Sequence, residues 1–228
     1  MGEVNKENQI KEIETSKNLG SLGKETEITI KSYNKTAQQY AQNVANLQKT
    51  TYINHFVSLL PANACILDMA CGSGRDARIF SEKGFNVTGI DLSEEMIKIA
   101  NQTCPGAKFR LMDIRQLNFD NQYFDGVWAC AALLHIPKEE IPSLISGVSR
   151  VLKREGIFYI GVKEGDGERF VKDGRYEGDI IKFYSYFKSG ELEAILNEKG
   201  FDMINSSGIT RKEDYLKCPE IDILCRRN

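Results

Sequence analysis

The sequence is poor in the residues that build metal sites. It contains only two histidines, His55 and His135, and its six cysteines include no pair at the CxxC spacing. Because zinc sites are normally assembled from clusters of these residue types, we expect no metal centre. Free cysteines in or beside apolar runs pack as small hydrophobic groups, and three of the six are placed in this way: Cys65, Cys71 and Cys130. We interpret the cysteines as reduced and structural.

The sequence also lacks a basic excess and a long apolar run. Its 30 Lys and Arg residues face 32 Asp and Glu residues, for a net charge of -2. A protein that holds a nucleic-acid backbone usually has a basic balance or a basic face, so nucleic acid is not the expected partner. No apolar run approaches the roughly 18 residues of a membrane span. No signal-peptide apolar region is visible, and Lys6 stands where a myristoylation signal has Ser or Thr. We therefore expect a soluble cytoplasmic protein, with its oligomeric state open.

Polar composition sets the first 28 residues apart from the rest. They contain no aromatic residue and include the stretch GSLG. Such a segment buries too little apolar surface to offset its ordering entropy. We predict a flexible tail over residues 1–28 and a single domain over residues 29–228. The domain begins with a helical cover, because apolar residues recur there on one helical face: Tyr33, Ala37, Tyr40, Ala41 and Val44.

After Pro61, apolar strand candidates alternate with helical patterns. This order predicts an α/β fold of the Rossmann-like, doubly wound kind, in which helices cover both faces of a mostly parallel sheet. Seven strands are expected at residues 65–69, 86–90, 108–112, 124–129, 156–162, 201–206 and 221–225. Helices are expected at residues 75–83, 93–102, 142–153 and 189–199. Ser93 and Ser189 are the predicted N-caps of two of them.

One connection, residues 164–188, breaks this alternation. It contains four glycines, mixed charges and six aromatic residues. A connection of this length in a compact domain is usually a functional lid or disordered, and the aromatic residues favour a lid insertion. Three of its tyrosines are candidate walls for a substrate: Tyr176, Tyr184 and Tyr186. We interpret three of its cationic residues as part of a solvated loop: Lys172, Arg175 and Lys182.

The stretch CILDMACGSGRDARIF places a carboxylate and two glycines between a strand and a helix. In a doubly wound sheet the ligand lies at the carboxyl ends of the strands, where Asp68, Asp91 and Asp113 end or follow three successive strands. Asp91 stands 19 residues after Gly72, a position from which a carboxylate accepts hydrogen bonds from ribose hydroxyls. Gly72 and Gly74 permit a sharp turn and a close approach of the backbone to a ligand. The pattern predicts an adenosine-type ligand.

Asp68 discriminates among adenosine-type ligands by the sign of its charge. Gly72, Gly74 and Ala77 satisfy the dinucleotide pattern G-x-G-x-x-G/A, but a pyrophosphate would then lie beside Asp68. Two like charges 4 Å apart repel by about 4 kcal/mol at an effective dielectric constant of 20. S-adenosylmethionine carries the same adenosine with two cationic groups and no phosphate, so the acid favours it. An NAD(P)-dependent oxidoreductase remains an alternative, supported by the glycine pattern and opposed by Asp68 and Asp113.

Five segments, in order along the chain, resemble the motifs of a known family: ILDMACGSGRDA, VTGIDLSEEMI, FRLMDIRQL, FDGVWACAALLHI and VLKREGIFYIGV. On these segments the chain is similar to the class I S-adenosylmethionine-dependent methyltransferases, and most similar to their small-molecule, type 11-like branch. The resemblance implies a seven-stranded sheet whose last strand, residues 221–225, is inserted antiparallel. It also implies an enzyme that transfers a methyl group from S-adenosylmethionine to a small-molecule acceptor and leaves S-adenosylhomocysteine.

The resemblance further implies roles for residues at matching positions. The methionine end of the cofactor would lie along Asp68, Ala70, Gly72 and Gly74, and Asp91 would hold the ribose. Four residues would lie beside the adenine: Leu92, Met96, Asp113 and Ile114. Two would contact the sulfonium region: Ala129 and Cys130. Taken as residues alone, Met96 equally suits core packing, and a structural role is the alternative for Asp113.

Two tyrosines and a histidine are candidates for closing the site. The first helix resembles a Y…A..Y segment of this branch, which implies that Tyr33 or Tyr40 covers the cofactor carboxylate. Tyr33 is also a candidate substrate contact, and both tyrosines equally suit the core. His135 follows the fourth strand, and an imidazole can take a proton from an oxygen or nitrogen nucleophile. A structural role for His135 remains the alternative to a catalytic one.

The expected reaction is an in-line displacement at the sulfonium methyl group. Its leaving group is neutral, so positioning of the nucleophile and exclusion of water would supply most of the acceleration. A non-catalytic S-adenosylmethionine-binding module is a further alternative, because the family needs no universal catalytic residue. The identity of the acceptor and the attacked atom stay open.

Overall fold

The computed structural model describes residues 22–47, 49–209 and 220–228. These residues form a seven-stranded sheet, helices on both of its faces and a separate two-stranded ribbon. The α-helices are α1 Lys24–Val44, α2 Thr50–Ser58, α3 Arg75–Glu82, α4 Glu94–Thr103, α5 Ile141–Val151 and α6 Glu191–Glu198. The strands are β1 Cys65–Met69, β2 Asn86–Asp91, β3 Lys108–Leu111, β4 Phe124–Cys130, β5 Leu152–Lys163, β6 Glu168–Lys172, β7 Ile181–Ser185, β8 Phe201–Ile209 and β9 Glu220–Arg227. Two short 3₁₀ turns, Leu133–His135 and Lys138–Glu140, follow β4.

The sheet has the strand order β3-β2-β1-β4-β5-β9-β8. The pairs among β1 to β5 are parallel, and β9 runs antiparallel to both of its neighbours. The predicted doubly wound fold with an antiparallel last strand is therefore confirmed. Strand order reverses between β1 and β4, which is where ligands bind in sheets of this kind. Asp68 lies in the middle of this region, opposite Gly89 of β2 and Trp128 of β4.

The sheet separates two apolar layers, because successive side chains of a strand point to opposite faces. Leu67 and Val127 belong to the larger layer. Their strand neighbours Ile66 and Trp128 belong to the smaller layer, together with Phe56 of α2. Trp128 stacks on Tyr159 of β5 with the ring centroids 3.7 Å apart. Fully burying one such large side chain stabilises a fold by roughly 1.5–3 kcal/mol, so these layers hold the strand ends in fixed positions.

The predicted boundary of the N-terminal tail is wrong by about one helical turn. Helix α1 already begins at Lys24, and Thr26 in its first turn is buried. Residues 1–21 of the predicted tail lie outside the described residues. The prediction of a tail ending at residue 28 failed because the burial of α1 depends on distant segments rather than on its own polar sequence.

Two other local predictions met different outcomes. Ser93 caps α4 as predicted, because its hydroxyl accepts a hydrogen bond from the N–H of Met96 at 3.2 Å. Ser189 does not cap α6; the residue before that helix is Gly190, with a φ of 84°. Strand β5 also starts earlier than predicted, at Leu152, because an irregularity in the β4–β5 pairing lets Leu152 face Phe124.

The segment predicted to form a lid contains the antiparallel ribbon β6–β7, and α1 runs along the outer edge of β7. The hydroxyl of Ser32 donates to the carbonyl of Ile181 at 2.6 Å and accepts from the N–H of the same residue at 3.2 Å. The hydroxyl of Thr29 accepts from the N–H of Phe183 at 3.0 Å. Side chains of α1 thus take the place of a third strand. We call α1 together with β6 and β7 the cover.

Within residues 22–47, 49–209 and 220–228, the structure has no helix with the length and apolar character needed to cross a membrane. The same residues contain no group of three or more His, Cys, Asp or Glu side chains arranged to hold a metal ion.

Candidate active site

Two adjoining cavities lie at the carboxyl ends of β1, β2 and β4, beneath α1. The larger has an empty volume of about 720 Å³ including its opening to solvent, and the smaller about 330 Å³. The sequence-predicted residues that line the larger cavity from the sheet side are Ala70, Gly72, Asp91, Leu92, Met96, Ile114 and Cys130. Those that line it from the opposite side are Tyr33, Tyr40 and His135. Asp68 lines the smaller cavity.

The turn after β1 forms the floor that the two cavities share. Ala70 and Gly72, which line both cavities, each adopt a φ of 53°, and Gly74 adopts 78°. A left-handed backbone is strained for alanine, and such strain is concentrated at functional sites. Gly74 lies outside the cavity lining but is fixed by packing, because a Cβ there would approach Ala100 of α4 to 3.1 Å. The glycine therefore lets α3 and α4 pack closely behind the turn.

Asp68 is buried near a second acid, Asp76, at the end of the smaller cavity. Burial raises the pKa of Asp68, the nearby charge of Asp76 raises it further, and Arg75 opposes both. Arg75 binds both carboxylate oxygens of Asp76, at 2.7 and 2.9 Å, and the indole N–H of Trp128 donates to Asp76 at 2.9 Å. The Oδ2 atom of Asp68 is buried with no hydrogen-bond partner among the described residues.

Sequence reasoning missed Asp76 and Arg75 as site residues. Both residues line the smaller cavity, and only 20% of the Arg75 side chain is exposed. The signal was present in the letters GSGRDA, because the first turn of a helix that follows a glycine turn lies against the strand end. Asp76 adds a second negative charge to the cavity, and Arg75 supplies the single cation among its lining residues.

Asp91 ends β2 and is held by the backbone. Its Oδ2 accepts from the N–H of Gly72 at 2.9 Å, and its Oδ1 accepts from the N–H of Ser93 at 2.8 Å. Burial raises the pKa of Asp91, and these backbone hydrogen bonds lower it. The carboxylate is thereby fixed in orientation at the edge of the larger cavity, where Leu92, Met96 and Ile114 form an adjacent apolar wall.

Besides Gly74, two residues predicted to contact the cofactor lie outside the lining of both cavities: Asp113 and Ala129. Both oxygens of Asp113 accept from the guanidinium of Arg115, at 2.6–3.0 Å, and Arg115 also binds Glu140. Asp113 is therefore occupied by a buried ion pair that the letters MDIRQL could have indicated. Ala129 is fully buried within β4, and the cavity is lined instead by Cys130 and by the two residues that follow it.

Tyr33 and His135 form a hydrogen-bonded pair across the larger cavity. The Nδ1 atom of His135 lies 2.7 Å from the carbonyl oxygen of Phe183, and its Nε2 lies 2.9 Å from the hydroxyl of Tyr33. Because a carbonyl only accepts, Nδ1 carries the imidazole proton and Nε2 accepts from Tyr33. Burial and the nearby charge of Lys182 lower the pKa of His135 to about 3, while its bond to Phe183 opposes the shift. His135 is therefore neutral at physiological pH.

Lys182 is fully buried, so its interpretation as part of a solvated loop is wrong. Its ammonium binds Asp173 at 3.0 Å, and Arg175 binds the same carboxylate at 2.5 Å. The ammonium also lies 4.2 Å from the ring centroid of Tyr33 and 5.7 Å from that of Tyr40, distances typical of cation–π contacts. Lys182 thus connects the ribbon to the two tyrosines that line the cavity.

The three lid tyrosines predicted as substrate walls are buried inside the cover and lie outside both cavity linings. Tyr184 packs under the ammonium of Lys163 at 4.1 Å, and Tyr186 under the guanidinium of Arg169 at 3.8 Å. Tyr176 lies near the ammonium of Lys182 at 5.0 Å. In this structure they pack the ribbon, and a substrate contact would require the cover to move. Their aromatic character alone did not distinguish these two uses.

Comparison with known proteins shows which family this chain resembles. A family model described as "Methyltransferase domain" matches residues 66–156. YqeM of Bacillus subtilis, which is named as a methyltransferase, is 35% identical over 165 residues, or 68% of this chain and 66% of the relative. The 2-methyl-6-phytyl-1,4-hydroquinone methyltransferase of Synechocystis is 36% identical over 127 residues, or 54% of this chain and 39% of the relative. The chain thus spans between about two fifths and just under two thirds of the length of these two relatives.

A solved structure shows the same fold. The 1,6-didemethyltoxoflavin-N1-methyltransferase of Burkholderia thailandensis, whose structure contains 1,6-didemethyltoxoflavin and S-adenosylhomocysteine, superposes with a TM-score of 0.70 at 20% identity. The superposition covers 92% of this chain and 93% of that chain. At this identity the likeness establishes the fold.

Proposed function

We infer the function of this chain from its family, because it belongs to the class I S-adenosylmethionine-dependent methyltransferases. We propose that it transfers a methyl group from S-adenosylmethionine to an acceptor that is a small molecule. The relatives support this proposal because they are named as methyltransferases. The cavities support it because they lie at the carboxyl ends of the strands and are lined by acids.

The single observation that carries the proposal is the unpaired Oδ2 atom of the buried Asp68. A buried carboxylate oxygen without a partner is costly, so a group that binds at this place should donate hydrogen bonds and carry positive charge. The ammonium group of S-adenosylmethionine meets both requirements. A pyrophosphate meets neither, because it would lie close to Asp68, Asp76 and Asp91, with Arg75 already bound to Asp76.

The other residues of the two cavities fit the remaining parts of the same molecule. Asp91, oriented by Gly72 and Ser93, would accept from the ribose hydroxyls. The apolar side chains of Met96 and Ile114 would lie along the adenine. Cys130 lines both cavities, so it would lie where the adenosine and methionine portions meet. Asp113 and Ala129 would act only indirectly, since neither lines a cavity.

When bound, S-adenosylmethionine supplies a methyl group on a cationic sulfur that leaves as a neutral thioether. The chain's own residues would position the acceptor and exclude water. The hydroxyl of Tyr33 donates a hydrogen bond to His135. The lone pairs of the Tyr33 oxygen therefore remain available for a hydrogen bond from a hydroxyl or amine of the methyl acceptor. The neutral His135 orients Tyr33 and is a weak base, because its pKa is lowered to about 3. A positioning role for His135 is better supported than proton abstraction.

Two alternatives make different predictions about ligands. A nicotinamide-dependent oxidoreductase would place a pyrophosphate beside Asp68, which the charge of the smaller cavity opposes. A non-catalytic binding module would use the same cavities without turnover. The larger cavity also has lining residues that none of these donor contacts uses, among them Thr26, Ile30 and Ile136. This additional space favours an enzyme, because a binding module has no need of room for a second molecule.

Thermal unfolding with four ligands tests the proposal: S-adenosylmethionine, S-adenosylhomocysteine, NAD and NADP. A ligand at 100 times its dissociation constant should stabilise the chain by about 2.7 kcal/mol. We expect stabilisation by the first two ligands and none by the dinucleotides. Stabilisation by NAD or NADP alone would overturn the assignment. Binding of S-adenosylmethionine without methyl transfer to any of a broad panel of phenols, amines and thiols would favour the module.

A further inference from the structure

Part of the larger cavity is lined by residues to which the proposed function assigns no contact with the donor. This part lies between the first turns of α1 and the turn after β4, and its lining residues are Thr26, Thr29, Ile30, Tyr33, His135 and Ile136. We call it the acceptor compartment. It adjoins the sheet-side wall through Cys130, which is the position required of a second substrate.

The acceptor compartment has no charged side chain among these lining residues. His135 is neutral because burial lowers its pKa, and both of its ring nitrogens are already bonded, to Phe183 and Tyr33. The nearest buried cation of the ribbon, Lys182, is bound to Asp173. An ionised acceptor would therefore lose its hydration without gaining a counter-charge, which is a large penalty in a buried site.

Among the buried Ser and Thr hydroxyls of α1, that of Thr26 alone has no hydrogen-bond partner in the described part of the chain. Its side chain is 5% exposed, and its Oγ1 atom has no hydrogen-bond partner there. The other buried hydroxyls of this helix are bonded: Thr29 to Phe183, Ser32 to Ile181 and Thr36 to the carbonyl of Ser32. Buried hydroxyls are normally paired, so the exception on a cavity wall indicates a missing ligand group.

We propose that the acceptor compartment binds an uncharged methyl acceptor and that Thr26 is a specificity-determining residue that hydrogen-bonds to it. The proposal rests on the proposed methyl transfer. The acceptor would offer one hydroxyl or amine that accepts a hydrogen bond from the hydroxyl of Thr26 and donates one to the lone pairs of Tyr33. Its remaining surface would be apolar, to match Ile30 and Ile136.

Three phenols that share one ring test the charge of the compartment: 4-methylphenol, 4-hydroxybenzoate and tyramine, which are neutral, anionic and cationic at pH 7.5. Binding is measured by ligand-observed NMR on the full chain saturated with S-adenosylhomocysteine. We expect 4-methylphenol to bind at least tenfold more tightly than either charged phenol. Equal or tighter binding of a charged phenol would overturn the proposal. So would the absence of 4-methylphenol binding to a chain that binds S-adenosylhomocysteine.

Three variants test the role of Thr26. Thr26→Val keeps the shape of the side chain and should weaken 4-methylphenol binding roughly threefold to tenfold, the usual worth of one hydrogen bond. Thr26→Ser should restore most of the affinity. The matched control is Thr36→Val on the same helix, whose hydroxyl bonds inside the helix and faces no cavity; it should change nothing. Unchanged affinity in Thr26→Val would overturn the role of Thr26.

The affinity for S-adenosylhomocysteine, measured by calorimetry, separates the two proposals. It should stay within about twofold of the wild type in all three variants, because Thr26 does not line the smaller cavity that contains Asp68 and Thr36 lines neither cavity. If the wild-type chain fails to bind S-adenosylhomocysteine, the proposed function fails. If it binds that ligand and the phenol results go against the expectation, only the inference about the acceptor fails.

Discussion

The sheet-side and cover-side walls of the two adjoining cavities are built differently. The sheet-side wall presents Asp68 and Asp91 at strand ends, and backbone N–H groups of Gly72 and Ser93 hold Asp91 in place. The cover-side wall presents hydroxyls and rings, and its charged residues neutralise one another inside the ribbon, as Lys182 and Asp173 do. One wall therefore offers uncompensated negative charge to a ligand, and the other offers none.

This difference indicates how the two substrates of a transferase can be told apart by one continuous cavity. A cationic donor is favoured at the sheet-side wall, where backbone hydrogen bonds fix the acids in place. An uncharged acceptor is favoured at the cover-side wall. The cover is also held together less firmly than the sheet, because α1 and β7 meet through the side-chain hydroxyls of Ser32 and Thr29 rather than through a strand ladder.

The largest expected effect comes from breaking the buried ion pair of the cover. Lys182→Met should destabilise the chain by roughly 3–5 kcal/mol, because it leaves Asp173 buried with one cation fewer. Urea unfolding measures the change. The matched control is Lys172→Met on the adjacent strand, whose exposed pair with Asp179 should contribute less than about 1 kcal/mol. Similar losses in both variants would mean that the cover does not depend on Lys182.

Replacing the acid of the sheet-side wall should separate affinity from stability. Asp68→Asn removes the charge that would bind the donor ammonium, and a charge-assisted hydrogen bond contributes about 1.5–3 kcal/mol. We expect the affinity for S-adenosylmethionine to fall roughly 10- to 150-fold in calorimetry. The thermal midpoint should not fall, because burial raises the pKa of Asp68 and its charged form therefore opposes folding.

The control for that substitution is Asp120→Asn, which changes an exposed acid of the same type. It should leave both the affinity and the midpoint unchanged. If Asp68→Asn bound the donor as tightly as the wild type, the electrostatic argument for the sheet-side wall would be lost.

The third effect concerns pH and the cover-side wall. The pKa of His135 is lowered to about 3 in the folded state, whereas an unfolded histidine titrates near 6.5. As the pH falls, His135 therefore becomes protonated in the unfolded state before it does so in the folded state. The stability that neutral His135 contributes is fully present above pH 6.5 and is lost as the pH falls towards 3. The loss should approach about 1.4 kcal/mol per pH unit within that window.

The variant His135→Asn should remove this pH dependence, which urea unfolding at pH 7, 6, 5 and 4 would show. The control is His55→Asn on α2, which should retain it. Because Asp68 and Asp91 have raised pKa values and respond to pH in the opposite sense, the informative quantity is the difference between wild type and variant. Parallel pH profiles for wild type and His135→Asn would contradict the buried, neutral assignment.

The sheet-side wall could be predicted from the sequence, because its parts are local. A strand, a glycine turn and a helix place Ala70, Gly72 and Asp91 with respect to one another through the chain itself. Asp113 is the exception. By its position it looked free to bind a ligand, but it is paired with Arg115 two residues later, which also binds Glu140 farther along the chain. The spacing of acids predicted where they lie, and it did not predict which of them are already paired.

The cover could be predicted only as a segment of unusual composition. The burial of Lys182 depends on α1, which precedes it by more than 130 residues in the chain. Tyr33 and His135 meet across a separation of 102 residues. Such contacts follow from tertiary packing, so periodicity and composition carry no direct signal for them. The tyrosines of the ribbon illustrate the limit, because an aromatic side chain fills a core and walls a substrate equally well.

The hydroxyls along α1 have one more consequence, which concerns self-association. An isolated two-stranded ribbon is marginal in water, and its free edges can recruit strands from other molecules. Ser32 and Thr29 occupy the outward-facing peptide groups of β7, which closes that edge to intermolecular pairing. The opposite edge, β6, carries exposed Glu168, Arg169 and Lys172, and charges of this kind discourage strand addition. The helix that roofs the cavity therefore also protects the chain against aggregation.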